Sequence, residues 1–366
     1  MVGSLTWKSK WNIRLAVSVI LAAMAGFPWV GGDYDVVLVS RVLCFAILAL
    51  SLDLLWGYTG LLSFGHGAFF GIGAYSLGLT LKYLHFTGNA YVGVLVGTVG
   101  AVVIAVILGY FLFYGHVSGI YFGIITLALT TILFSIVNHP DAFYITGGQN
   151  GLYGTFLKPR YGIPGIWEYQ RTLTSNLANY YTSMAGFIAA FVFCRYLVNS
   201  SFGKILRAIR NNEERLEYLG YNVANLKIVI FAVACGLAGF GGTLSVPIQF
   251  IGPTVFGLIF STSAIIWVAV GGRGTLVGPA IGALVVTYVE SWLSTQFSSL
   301  WVLFMGTFFI LVIIFQPDGI MGLHRRAVGT RRLTAEAVNN SLLLSMVQDP
   351  KETGDVDSSL GNEKSQ

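Results

Sequence analysis

Seven charged side chains crowd into one short segment, GKILRAIRNNEERLEYLG (203–220): Lys204, Arg207, Arg210, Glu213, Glu214, Arg215 and Glu217. The other 348 residues are sparing with charge, since the 366-residue chain holds only 21 Lys and Arg and 16 Asp and Glu. The chemistry these residue types offer is a grip, made of charge-assisted hydrogen bonds and ion pairs to another surface. Written as a helix, Arg207, Arg210, Glu214 and Glu217 fall at i, i+3, i+7 and i+10 and form one polar stripe. Leu206, Ile209 and Leu216 lie on another face, interrupted by Glu213. Arg210 and Glu214 are spaced for an i,i+4 pair, worth about 0.2–0.5 kcal/mol. Asn199 and Ser200 supply cap chemistry ahead of Gly203, and Gly220 fits a helix stop. Two readings are open: a solvated interfacial helix, or a handle whose apolar ridge enters a partner's groove with the charges at the rim.

Other polar groups stand in apolar surroundings. Ser63 and His66 sit in a glycine-rich run with Gly57, Gly60, Gly65, Gly67, Gly71 and Gly73. Such glycines either let helices pack closely or permit a broken helix along a pathway, with Ser63, Gly65, His66 and Gly67 as its polar lining. His66 reads more readily as a hydrogen-bonded structural residue than as a proton carrier. Arg41, Asp53 and Glu290 are charges within apolar segments, which either face a bundle interior or snorkel to the interface. The run TGGQNG, with Gly147, Gly148, Gln149 and Asn150, is a turn or a docking loop. GGRG (271–274) is a tight connector or a second contact for a partner. Cys44, Cys194 and Cys235 lack metal-site spacing and read as packing residues. No Ser, His, Asp or Glu constellation of an intramembrane enzyme stands out, and no catalytic, metal or cofactor residue is expected. An ion-driven carrier would place ionisable groups at mid-membrane, whereas these lie near span ends.

The elements that must position these groups are membrane helices. Hydrophobic residues make up 55% of the chain and charged ones 10%, against about 25% charged in soluble domains, and the mean hydropathy is +0.73. Residues 15–32, 83–140, 172–194, 228–272 and 291–317 contain no Asp, Glu, Lys or Arg. About 20 apolar residues cross a bilayer as a helix, so the longer runs each hold two spans. The expected fold is an all-α polytopic bundle of about ten transmembrane helices. The spans are 13–30, 36–56, 64–83, 91–114, 118–137, 178–198, 226–249, 254–271, 274–293 and 299–316. Placing Lys8, Lys10 and Arg14 inside puts Lys204 to Arg215, Arg273 and Arg325 to Arg332 inside as well. Both termini are then cytoplasmic, and 138–177 is the longest external segment. Ala23-Met24-Ala25 leaves a cleaved first segment as an alternative. Residues 1–332 form the membrane domain, with the charged segment as 199–222, and the acidic 333–366 reads as a disordered cytoplasmic tail. The net charge of +5 is dispersed around span ends, which speaks for membrane lipid and against nucleic acid as a partner.

GKILRAIRNNEERLEYLGYNV resembles the cytoplasmic coupling segment of permeases in the branched-chain amino acid and urea importers of the ATP-binding cassette class. LLWGYTGLLSFGHGAFFGIGAY (54–75), SGIYFGIITLAL (118–129), TGGQNGL (146–152), IWVAVGGRGTLVGPAIGALVV (266–286) and FFILVIIFQPDGIMGL (308–323) are similar to that family's segments in the same order. The resemblance covers about residues 36–323. Within it, GYTGLLSFGHG and IWVAVGGRGTLVG look urea-type, so urea is the expected cargo and a branched-chain or other amino acid the alternative. The resemblance implies an inner-membrane transporter subunit in place of an enzyme, pairing with a second homologous permease, two cytoplasmic ATPases and a periplasmic substrate-binding protein. The chain contains no GxxxxGK[ST] phosphate loop, so the ATPases must be separate polypeptides. The resemblance further implies that Gly203, Leu206, Arg207, Ile209, Arg210, Glu213, Glu214 and Gly220 couple to those ATPases. TGGQNG then faces the binding protein at the substrate entrance.

Overall fold

A computed structural model of the chain describes residues 22–83, 89–117, 119–152 and 176–297, with scattered positions between 303 and 322. Among them the backbone is helical throughout, apart from turns and one antiparallel bridge between Leu152 and Ile251. The principal helices are α1 (Asp33–Thr59), α2 (His66–Tyr83), α3 (Asn89–Tyr114), α4 (Ile120–Asn138), α5 (Asn176–Asn199), α6 (Ser201–Asn211), α7 (Glu213–Tyr218), α8 (Val223–Ser245), α9 (Leu258–Gly271) and α10 (Val277–Gln296). Of these, α1, α3, α4, α5, α8 and α10 are long and apolar enough to cross a membrane.

Apolar residues surround α1 on every side, so it belongs in the interior. It packs against α5, α8, α9 and α10, and its most apolar window is 78% buried, against 28% for α3, α4 and α5. The outer helices keep a lipid face: Leu95, Val99, Val103 and Ile107, four residues apart along α3, are all exposed. Close packing at the centre depends on glycine. A Cβ at Gly73 of α2 would overlap the Gly239 carbonyl oxygen of α8, and one at Gly242 would overlap that of Phe70. Backbones meet there without side chains between them, as membrane helices do at small residues.

Two expected spans differ from the observed helices. Residues 254–271 form a Pro253–Phe256 turn followed by α9, whose 14 residues rise only about 21 Å. Gly252-Pro253 and Gly257 interrupt the helix there. At the other break, α2 begins well inside the bundle. His66 Nε2 lies 2.9 Å from Ser51 Oγ, and Ser51 is eight residues, or about 12 Å, up α1 from its end at Thr59. Residues 60–65 therefore run back inward without helical structure, and Leu61, Ser63 and Gly65 are buried. Non-helical backbone at depth is tolerated where protein encloses it. Of the remaining expectations, 22–30 are helical within the first span, most of 299–316 lies outside the described residues, and the tail 333–366 lies wholly outside them.

Candidate functional site

The charged segment folds as two short helices, α6 and α7, because Asn212 leaves the helical region and caps α7 with its side chain, accepting from Arg215 N at 2.9 Å. This break separates Arg210 from Glu214, and the i,i+4 pair does not form. Ser200 caps α6, accepting from Gly203 N. A Cβ at Gly203 would overlap the Val198 carbonyl oxygen, so glycine permits the sharp turn out of α5. Gly220 ends the segment at φ 85°, the left-handed conformation expected of a helix stop.

The two arginines of α6 serve the bundle. Arg207 donates from Nη2 to Val198 O at 3.0 Å and from Nε to Gly203 O at 3.2 Å. Arg210 donates from Nη1 to Gly57 O at 2.5 Å. Each arginine thus caps carbonyls near the C-terminus of a long helix, α5 and α1 respectively, where unpaired carbonyls and the helix dipole both favour a cation. Leu206, Ile209 and Leu216 are buried in the main core cluster. The apolar ridge is therefore occupied by the chain's own helices. That corrects the expectation that it enters a partner's groove. Glu213 pairs with Lys227 of α8, whose ammonium is otherwise buried.

What the segment presents outward is different. Glu214 and Glu217 are exposed, and with Glu213, His116 and Lys227 they line a cavity of about 550 Å³. Tyr218 and Leu219 are 88% and 71% exposed. Sequence reasoning passed over these two, although an apolar pair beside a glycine stop at the end of an amphipathic helix was the available signal.

Asp53 takes the interior placement of the two open to it. It is fully buried, where snorkelling would have exposed it, and its carboxylate accepts from Gly274 N at 2.5 Å and Leu276 N at 3.1 Å. Leu276 has φ 58°, unusual for a bulky residue, and Asp53 holds it in that conformation at the start of α10. Arg210 lies close enough to Asp53 to interact electrostatically, and Arg273 stands over the Trp56 ring at 5.7 Å. The GGRG connector, the end of α1 and α6 thus converge on one latch.

Of the expected path residues, Ser63 and His66 are fully buried. His66 Nε2 meets the Ser51 hydroxyl, while its buried Nδ1 has no hydrogen-bond partner. Gly65 and Gly67 are contact points, where a Cβ would overlap Thr126 of α4 or crowd Ser261 of α9. TGGQNG is a built turn: Gly147, Gly148 and Gly151 all have positive φ, Thr146 Oγ1 donates to Val137 O, and Gln149 and Asn150 are exposed. It lies beside the Leu152–Ile251 bridge, at the end of the bundle opposite the latch.

Residues 36–313 match the family described as branched-chain amino acid transport system / permease component. The chain belongs to this family. It is similar to LivM of Escherichia coli (strain K12), a high-affinity branched-chain amino acid transport system permease protein, at 25% identity over 86% of this chain and 76% of LivM. The probable branched-chain amino acid transport permease protein LivM of Methanocaldococcus jannaschii is 23% identical, covering 75% of this chain and 89% of the relative. LivH of Salmonella typhimurium, also a high-affinity branched-chain amino acid permease protein, is 23% identical over 76% and 91%. No solved structure matches.

Proposed function

We propose that this permease forms one half of the membrane path of an ATP-driven importer of branched-chain amino acids. The observation that carries the reading is the family match across residues 36–313, and the named relatives transport branched-chain amino acids by their descriptions. Those relatives are described as branched-chain amino acid permeases and not as urea permeases, so the alternative cargo is preferred over urea. Escherichia coli K12 has both a LivM and a LivH of this kind, which supports pairing with a second homologous permease. Two cytoplasmic ATPases and a periplasmic binding protein complete the assembly. The protein lies in the bacterial inner membrane with about ten spans and both termini in the cytoplasm.

In this reading α6 and α7 face the ATPases. The motor grips Glu214, Glu217, Tyr218 and Leu219, while Leu206, Ile209 and Gly203 anchor the helix to the bundle. Movement of α6 reaches α1 through Arg210 and α5 through Arg207, and Asp53 passes it to the start of α10. TGGQNG receives the binding protein at the other end. The test is uptake of labelled leucine and of labelled urea in a strain deleted for this chain and complemented with it. Restoration of leucine uptake is expected. Restoration of urea uptake alone overturns the cargo.

A further inference from the structure

A cavity of about 590 Å³ opens among α1, α9 and α10, at the end of the bundle opposite Arg210. That size lies within the range of roughly 300–1,000 Å³ common to small-molecule sites. Arg41 of α1 and Glu290 of α10 both line it. They interact electrostatically across it, yet among the described residues neither belongs to an ion pair within 4 Å. Three further observations concern donors with nothing to donate to. The buried Arg41 Nε, Trp267 Nε1 and Thr287 Oγ1 all lack a hydrogen-bond partner. Trp267 and Thr287 line the same cavity and are 1% and 2% exposed. A buried polar group left unpaired costs about 1–3 kcal/mol, and a charge in a membrane span costs more. Two neutral orphan donors beside a cation and a carboxylate that belong to no ion pair describe a site built for something polar.

Part of the remaining lining is aromatic, beside the polar Gln249, Thr254, Ser263, Ser294 and Thr295. Phe45 and Trp267 stack at 4.9 Å between ring centroids, and Phe260 meets Phe45 edge-on at 5.5 Å. The mouth is tied by the Tyr34 hydroxyl and Ser291 Oγ, 2.8 Å apart. One cavity thus offers a cation, an anion and an aromatic wall.

We propose that this cavity is a subsite for the zwitterionic backbone of an aliphatic α-amino acid. Its carboxylate meets Arg41 and its ammonium meets Glu290. The Trp267 N–H and the Thr287 hydroxyl supply the remaining hydrogen bonds, and the aliphatic side chain lies on Phe45 and Phe260. A neutral amide such as urea leaves both charges uncompensated and the aromatic wall uncovered. This deepens the proposed function and rests on it for the cargo, but the placement comes from the cavity alone.

The test uses the complete importer, solubilised with its partner subunits. Ser263 lines the cavity and is replaced (Ser263→Cys), with Thr295→Cys as a second reporter nearer the mouth. The native Cys44, Cys194 and Cys235 are buried, so labelling by a polar maleimide reports the new thiol. Excess leucine, added directly, is expected to slow labelling at both positions, whereas urea and 4-methylpentanoate, which lacks the ammonium, are not. In the same background Arg41→Gln or Glu290→Gln is expected to raise the leucine concentration for half-protection by roughly tenfold or more, as loss of a charge-assisted hydrogen bond does. Failure of leucine to protect in an importer that still takes up leucine overturns the subsite and spares the cargo. Absence of leucine uptake by the wild-type importer overturns the cargo reading. Protection by urea, or thiols that no reagent reaches, overturns the subsite.

Discussion

The latch between α1, α6 and the GGRG connector makes a quantitative claim about Asp53 and Arg210. Asp53 gives its two carboxylate oxygens to Gly274 N and Leu276 N, and Arg210 caps the Gly57 carbonyl beside the same connector. In Asp53→Asn one oxygen still accepts, while an amide N–H₂ faces the second backbone N–H. That loses one charge-assisted bond and leaves a buried donor unsatisfied, a cost of about 2–4 kcal/mol. Arg210→Gln loses the cap on Gly57 O, and partial solvent access lets water replace some of it, for about 1–2 kcal/mol. If the two residues act as one latch, the double variant falls short of the sum. Once Asp53 is gone, Gly274 and Leu276 are already loose, and Arg210 has less order to defend. A coupling energy of about 1–2 kcal/mol is expected, inside the range for residues sharing a network. The assay is the thermal midpoint of the solubilised importer for wild type, both singles and the double, with leucine-stimulated ATP hydrolysis measured alongside. On the proposed coupling, each single variant is expected to hydrolyse ATP while uptake falls, because Arg210→Gln frees α1 from α6 and Asp53→Asn frees the start of α10 from α1. Additivity within about 0.5 kcal/mol, with uptake and hydrolysis falling together, refutes the latch.

The remaining predictions follow from single contacts. Gly73→Leu drives a side chain into the Gly239 carbonyl oxygen and is expected to abolish folded yield, read by size-exclusion of the solubilised protein; Ala at the same place is expected to lower the midpoint measurably. Glu213→Gln leaves the buried Lys227 ammonium without its carboxylate, for about 1–3 kcal/mol given that Glu213 is itself partly exposed, and Lys227→Met in the same chain is expected to recover most of the loss. Leu219→Asp is expected to leave the thermal midpoint of the isolated permease unchanged, because Leu219 is exposed, and to weaken co-purification of the ATPases; retention at the wild-type ratio speaks against α7 as the motor contact.

The parts visible in the sequence were those governed by local rules. Charge-free runs announce helices, Ser200 and Gly220 announce the ends of the charged segment, and the i, i+3 spacing of Leu206 and Ile209 announces a buried face. What that face packs against is not a local property. A ridge on a surface helix satisfies the same pattern whether a partner or the chain's own core covers it, and here the core covers it. The placement of Asp53 stayed open for a similar reason. A carboxylate two turns from a helix end is within snorkelling reach, and only the return of the chain more than 200 residues later supplies the two N–H groups that hold it inside. The shortness of α9 and the late start of α2 arise from glycines and a proline whose hydropathy differs little from that of their neighbours.

These long-range contacts share an electrostatic logic that bears on how the permease is driven. Arg207 and Arg210 stand at the C-terminal, negative ends of α5 and α1, and Asp53 stands at the N-terminal, positive start of α10. A charge so placed satisfies backbone groups that the helix itself leaves unpaired, and it does so with one or two short bonds that tolerate little displacement. An apolar contact of equal strength would slide, since dispersion is spread over many weak pairs. Hydrogen bonds from α6 to the backbone of two long helices do not slide without breaking, and breaking one exposes a buried carbonyl. A force applied to α6 is therefore expected to move the ends of α1 and α5 with it. Leu276, held at positive φ at the far side of the latch, is the position where α10 would swing when Asp53 lets go.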